Sequence, residues 1–303
     1  MSVLDDLERA AAAVAARVCP AVVRIGRGGG RGAGVVAGDG VVVTNAHNLR
    51  GPQATVAFAD GRVETARVAG VDVDGDLAVL SVGTAGVAPL ERSPAEARPG
   101  QAVFAVTPGA GGAGRLSFGV VSSVGQAFRG PRGRRITGSV EHTAPLPRGS
   151  SGSPVVDGAG RLVGISTNRL GDGFYLALPA DADLDARIDA LARGEAPARR
   201  HLGVAVAPPR AAAHLRRAVG LPERDGLLVR GVEDASPAAR AGVREGDLLV
   251  AAAGRPLAGV DDLHAALDGL GDGEPLALSV VRGVDELAVV VRFGEGAPAE
   301  GSA

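Results

Sequence analysis

The sequence contains no lysine, no tryptophan and only one cysteine, Cys19, in 303 residues. A single cysteine excludes an intrachain disulfide, so stability has to come from a packed core, and nothing demands an oxidising compartment. Aromatic residues make up only 2% of the chain, which argues against the stacking platforms that bind single-stranded nucleic acid. Charge of one sign is lacking as well: 32 basic residues, all arginine, stand against 34 acidic ones, for a net charge of −2. No global field therefore draws in polyanions or acidic membranes. No window supplies the roughly 20 apolar residues of a membrane span. The N-terminus, MSVLDDLERAAAAVAARVCP, opens on acidic residues, and Arg9 and Arg17 flank its alanine-rich run. A secretory signal has a basic start and an uninterrupted apolar stretch, so the chain as written is expected to be cytoplasmic. No two Cys or His residues have metal-ligand spacing, and neither a metal nor another cofactor is expected.

Glycine, at 47 residues, and a hydrophobic content of 46% are what the chain has in quantity. The length suffices for two domains, each with its own core. Leu4, Leu7, Ala11, Val14 and Val18 recur at helical steps, and Pro20 ends the pattern. From Val22 to Pro179 short β-type runs alternate with glycine-containing turns, at the spacing of an all-β barrel or sandwich. ADGR (59–62) and DGAGR (157–161) read as hairpin turns. A helical segment at 181–194 and the polar stretch EAPARR (195–200) mark a boundary. Beyond it, strands mix with helices near 235–241 and 260–270, and the tail lacks any apolar period. The expected division is an N-terminal helical segment (1–21), a first domain (22–185), a linker (186–200), a second domain (201–294) and a disordered tail (295–303).

Three polar stretches could carry chemistry. A nucleophilic serine needs a hydroxyl on a rigid turn, an imidazole to take its proton and a carboxylate to orient that imidazole. RGSSGSPVV (148–156) offers Ser151, with Ser150 and Ser153 as alternatives. VVVTNAHNLRG (41–51) places His47 at the exit of an apolar strand, and VDVDGDLAVLSV (71–82) sets Asp76, after Asp72 and Asp74, against another. Each has a plainer reading in isolation: a linker, a surface histidine, a turn aspartate bonding nearby backbone. RIGRGGGRGAG (24–34) reads as a glycine-rich hairpin loop, since it is flanked by strands and lacks the Lys-Ser/Thr of a phosphate loop. FRGPRGRR (128–135) reads as a mobile loop, and Cys19 as a small buried hydrophobe. No nucleic-acid partner is expected.

VVVTNAHNL, DGDLAVL and GSSGSPVVDGAGRLVGIST, in that order, together resemble trypsin-like serine proteases of the HtrA (DegP-like) family. The resemblance runs from CPAVVRIG through YLALP. It implies a mainly β fold: a chymotrypsin-like double six-stranded β-barrel with the active site in the cleft. His47 would be the general base, Asp76 its orienter and Ser151 the nucleophile, with the amides of Gly149 and Ser151 as oxyanion hole. Pro145, Leu146, Leu176 and Leu178 would line the primary pocket, implying a small aliphatic residue before the scissile bond. Ser150 stands where the family has Asn, and Ser153 where it has a second Gly.

RHLGVAV and SPAARAGVREGDLLVAAAGRPL resemble a bacterial-type PDZ domain. By that resemblance Leu202, Gly203 and Val204 would hold a peptide's C-terminal carboxylate, beside a helix carrying Leu263 and Leu267 (ordinary helix core is the alternative for those leucines). The implied function is a serine endopeptidase acting on unfolded or misfolded protein, its PDZ domain taking peptide C-termini. The alternative is an inactive protease-like scaffold that binds C-terminal peptides, suggested by the altered GSSGS loop. Relatives are commonly extracytoplasmic and trimeric, although residues 1–21 contain none of the aromatics often used at such contacts.

Overall fold

The computed structural model describes residues 2–26, 32–109, 113–131, 134–195, 200–207, 209–218, 220–222, 224–271 and 273–293. The chain divides into two compact units, 1–197 and 198–303.

Helix α1 (Val3–Val18) begins at Ser2, which caps it reciprocally with Asp5. Val14 and Val18 are buried, with Leu7 and Ala11 packed beside them, so the helical stripe of the sequence is the face that docks. Cys19, in the 3-10 turn that follows, is half-buried, and burial pushes its thiol pKa up. Six strands then close a first barrel: β1 (Val22–Ile25), β2 (Gly32–Gly38), β3 (Val41–Thr44), β4 (Gln53–Ala57), β5 (Val63–Asp72) and β6 (Leu77–Ser81), in the order β1-β2-β3-β6-β5-β4. A second barrel uses β7 (Ala102–Pro108), β8 (Gly114–Arg129), β9 (Arg135–His142), β10 (Pro154–Val156), β11 (Leu162–Gly171) and β12 (Phe174–Pro179), in the order β10-β11-β12-β9-β8-β7. Valines dominate the inward positions, because a β-branched side chain fills a narrow barrel at little rotamer cost. Val23, Val35, Val42, Val43, Val106 and Val156 are all fully buried.

The two hairpin turns read from the sequence form as expected. Phe58 N–H bonds Arg62 O around ADGR, and the Asp157 carboxylate accepts from Ala159 and Arg161 N–H within DGAGR. Strand β9 is an addition to the sequence reading. FRGPRGRR lies at the β8–β9 connection, with Phe128 and Arg129 in one strand, Arg135 in the next and 132–133 outside the described residues. The glycine-rich residues 27–31 and the tail also lie outside them.

Helix α2 (Ala182–Ala192) alters the expected boundary. Asp181 caps it, Leu184 and Leu191 are buried in the core of the first unit, and Ile188 packs against that core. Residues 186–192 therefore belong to the first unit rather than to a linker, since the helix's apolar face continues to Leu191. On the same helix Arg187 donates to the Asp72 carboxylate (3.0 Å) and to the Gly75 carbonyl (3.2 Å).

The second unit is a sheet of β13 (Val204–Ala207), β14 (Leu227–Val232), β15 (Leu248–Ala252), β17 (Leu276–Arg282) and β18 (Asp285–Val291), with the short β16 (Arg255–Pro256) paired to β15. Helices α3 (Pro209–Ala218), α4 (Pro237–Arg240) and α5 (Val260–Asp268) complete it; α3 was not anticipated. Leu227, Leu249, Leu263, Leu267 and Leu278 share one core. Arg282 grips the buried Asp247 with two nitrogens, each at 2.8 Å. Among the described residues no helix is long and apolar enough to cross a membrane.

Two stability predictions follow from the first unit. Arg187→Ala leaves the Asp72 carboxylate buried with fewer donors, and should cost about 2 kcal/mol in urea unfolding. His142, at the end of β9, is fully buried, and desolvation pushes its pKa from 6.5 down to about 4. The unfolded chain takes up a proton below pH 6.5 that the folded chain refuses until pH 4, so stability is full above that window and falls as pH drops through it. The loss should be on the order of 3 kcal/mol. His142→Gln should remove that share of the pH dependence.

Candidate active site

β3 and β6 are neighbours in the first barrel, with Thr44 opposite Ala78. Their ends therefore bring the segments carrying His47 and Asp76 together. Asp76 is 1% exposed, and a buried carboxylate has to find donors. It accepts from His47 Nδ1 at 2.9 Å, from the His47 backbone N–H at 3.2 Å, and from the Thr167 hydroxyl of β11. An ionised carboxylate only accepts, so the bond fixes the proton on Nδ1 and leaves Nε2 of a neutral ring with a free lone pair. Asp76 itself sits at φ +51°, a left-handed conformation costly for a non-glycine residue. Asn45 Nδ2 holds its carbonyl at 3.0 Å.

Of the three candidate serines, Ser150 and Ser153 are buried and Ser151 is half-exposed. The Ser151 hydroxyl donates to the Thr167 carbonyl at 3.1 Å. Thr167 thus bonds Asp76 through its side chain and Ser151 through its backbone, which brings all three sequence candidates to one place. The loop is anchored on the first barrel: Ala33 N–H and Asn48 Nδ2 both donate to the Ser151 carbonyl, at 2.7 and 2.9 Å. Gly152 has φ +92°, and a Cβ there would meet the Ala33 carbonyl at 2.0 Å. Only glycine fits a backbone at that distance. Among the described residues neither the Gly149 nor the Ser151 amide has a protein acceptor.

Beside Ser151 lies a cavity of about 250 Å³ bounded by 146–151, by 166–169 and by Tyr175. Leu146 lines it. Leu176 and Leu178 do not: both are in the barrel core, because β12 turns its alternate residue, Tyr175, to the cavity. Pro145 is exposed, and its carbonyl accepts from Ser117 Oγ. Thr167, Asn48, Tyr175 and Arg169 are the residues that the sequence reading missed. Among the described residues no cluster of three or more His, Cys, Asp or Glu side chains could hold a metal ion.

Among the described residues β13 forms one edge of the second unit's sheet, with backbone free for a further strand. Leu202, Leu263 and Leu267 are buried in the core of this unit. Gly203, at φ +81°, turns the chain into β13, and its carbonyl accepts from Glu233 N–H at 2.9 Å. Val204 is half-buried at the start of that strand.

A trypsin-like peptidase domain model matches residues 32–165, and a PDZ domain model matches 228–282. The chain is 30% identical to the putative serine protease HhoA of Synechocystis sp. over 295 residues, covering 92% of this chain and 74% of that protein. It is also 30% identical to a probable periplasmic serine endoprotease, DegP-like, of Brucella suis, covering 82% of this chain but only 49% of the relative. The chain therefore spans about half of that longer protein. Among solved structures, the HtrA-type protease AlgW with decapeptide superposes with a TM-score of 0.67 at 22% identity, covering 95% of this chain and 99% of that one. The serine endoprotease from Yersinia pestis gives 0.65 at 23%, covering 93% and 96%; both share the fold. With its two barrels, its PDZ domain and these relatives, the chain belongs to the HtrA family of serine endopeptidases.

Proposed function

We propose that Ser151 is the nucleophile, His47 its general base and Asp76 the orienter of that base, and that the chain cleaves unfolded or misfolded polypeptides. The observation that carries this reading is the Asp76 carboxylate on His47 Nδ1, joined to Ser151 through Thr167. Ser151 Oγ leaves the Thr167 carbonyl by a side-chain rotation and passes its proton to His47 Nε2. The oxygen attacks a substrate carbonyl whose developing oxyanion is held by the Gly149 and Ser151 amides. His47 returns the proton to the leaving amine, then takes one from the water that hydrolyses the acyl-enzyme. A scissile bond has to lie extended across the cleft, with its carbonyl reaching both amides, and an unfolded chain meets that demand most readily. The PDZ domain is proposed to take peptide C-termini, the free edge of β13 accepting the peptide as a strand.

Purified protein should cleave unfolded casein and label at Ser151 with a fluorophosphonate. Ser151→Ala should do neither, and Asp76→Asn should lower kcat by about 10⁴-fold by favouring the wrong imidazole tautomer. If wild type fails at both, even with C-terminal peptides added, the scaffold reading takes its place. For the PDZ domain, a fluorescent peptide with a free apolar C-terminus should bind, and its C-terminally amidated form should bind at least tenfold more weakly.

A further inference from the structure

We propose that the cavity beside Ser151 selects an acidic side chain, Asp or Glu, immediately before the scissile bond, and that Arg169 is its anchor. The inference rests on the endopeptidase reading, and it replaces the small aliphatic preference expected from the sequence. When a substrate carbonyl points at the Gly149 and Ser151 amides, the side chain of the same residue enters the adjoining cavity. The apolar floor that Leu176 and Leu178 were to supply is absent, since both point into the barrel.

The residues around the cavity carry one sign of charge. Among the described residues Arg148 and Arg169 line it, and no Asp or Glu does. Arg169 is held in place: one terminal nitrogen donates to the Leu146 carbonyl and lies 3.3 Å from the Tyr175 hydroxyl. Its guanidinium stands 5.1 Å from the Tyr175 ring centroid. Behind Tyr175, His142 stacks on the same ring at 5.6 Å and fixes its plane. These bonds occupy a single nitrogen, so among the described residues Nε and the second terminal nitrogen have no acceptor and no carboxylate pairs with the group. A guanidinium positioned by two neighbours, with donors to spare, suits a carboxylate in a fork geometry. A valine or alanine would shed water from that cation and return nothing; a lysine or arginine would be repelled.

The test is a fluorogenic peptide library, varied only at the residue before the cut, read with the full chain. Wild type should show kcat/KM for Asp or Glu at least tenfold above Val, Ala, Leu, Lys and Arg. Arg169→Ala should lower the acidic-to-Val ratio at least tenfold, Arg169→Lys should lower it less, and Arg169→Glu should shift preference to basic residues. Fluorophosphonate labelling of each protein reports whether its active site is folded. A labelling-competent wild type that prefers Val, Ala or a basic residue overturns the inference while sparing the endopeptidase reading. The same holds for an acidic preference indifferent to all three substitutions, which would remove Arg169 as anchor. Failure of wild type to label or to cleave any peptide overturns both.

Discussion

Everything at the cleft depends on one buried carboxylate that has to be satisfied from two directions. Asp76 is almost wholly excluded from water, and an uncompensated charge there would cost several kcal/mol. The first barrel supplies the His47 donors and the second supplies the Thr167 hydroxyl. Neither barrel alone completes the shell, so forming it ties the histidine's tautomer to the docking of the two. The strained backbone of Asp76 is stable only because its side chain and its carbonyl are both held. Next to it, Arg187 secures Asp72 and the Gly75 carbonyl, so the turn is gripped from α2 as well.

The other end of the site is fastened by contact of backbones. Ser151 carbonyl receives two donors from the first barrel, and Gly152 lies so close to Ala33 that no side chain could stand between them. The loop that carries Ser151 belongs in sequence to the second barrel and is pinned to the first. The geometry of the proposed site is a by-product of how the barrels interlock, which explains why it can be placed by a few short motifs.

Much of this was legible in the sequence. Helix α1 follows from its apolar period, the hairpins from ADGR and DGAGR, and the candidate triad from three polar stretches abutting apolar strands. Other parts were hidden for physical reasons. Strand β9 (RITGSVEH) mixes Thr, Gly, Ser and Glu with its apolar residues, so no alternation marks it. In β12 four successive residues from Tyr175 to Leu178 are buried, and a strand buried on both faces gives no parity by which to tell core from cavity. Helix α3 carries arginines and few large apolar residues, leaving its stripe faint. The helical pattern of α2 was visible, but that its last turns pack on the first unit was not, because docking depends on a surface the sequence shows nowhere in one piece.

Irregularity in β11 accounts for what remained. Its pairing with β12 slips between Ser166 and Asn168 and again between Arg169 and Gly171, and each slip leaves one residue outside the ladder. The first is Thr167, whose carbonyl is thereby free to accept from Ser151 while its hydroxyl reaches Asp76. After one bulge and before the next comes Arg169, so strict alternation no longer governs where it points. A strand without these bulges would pair Thr167 with its neighbour and leave Asp76 one donor short. The same departure that completes the carboxylate's shell therefore directs Arg169 to the cavity, and it couples the surroundings of Asp76 to the lining beside Ser151.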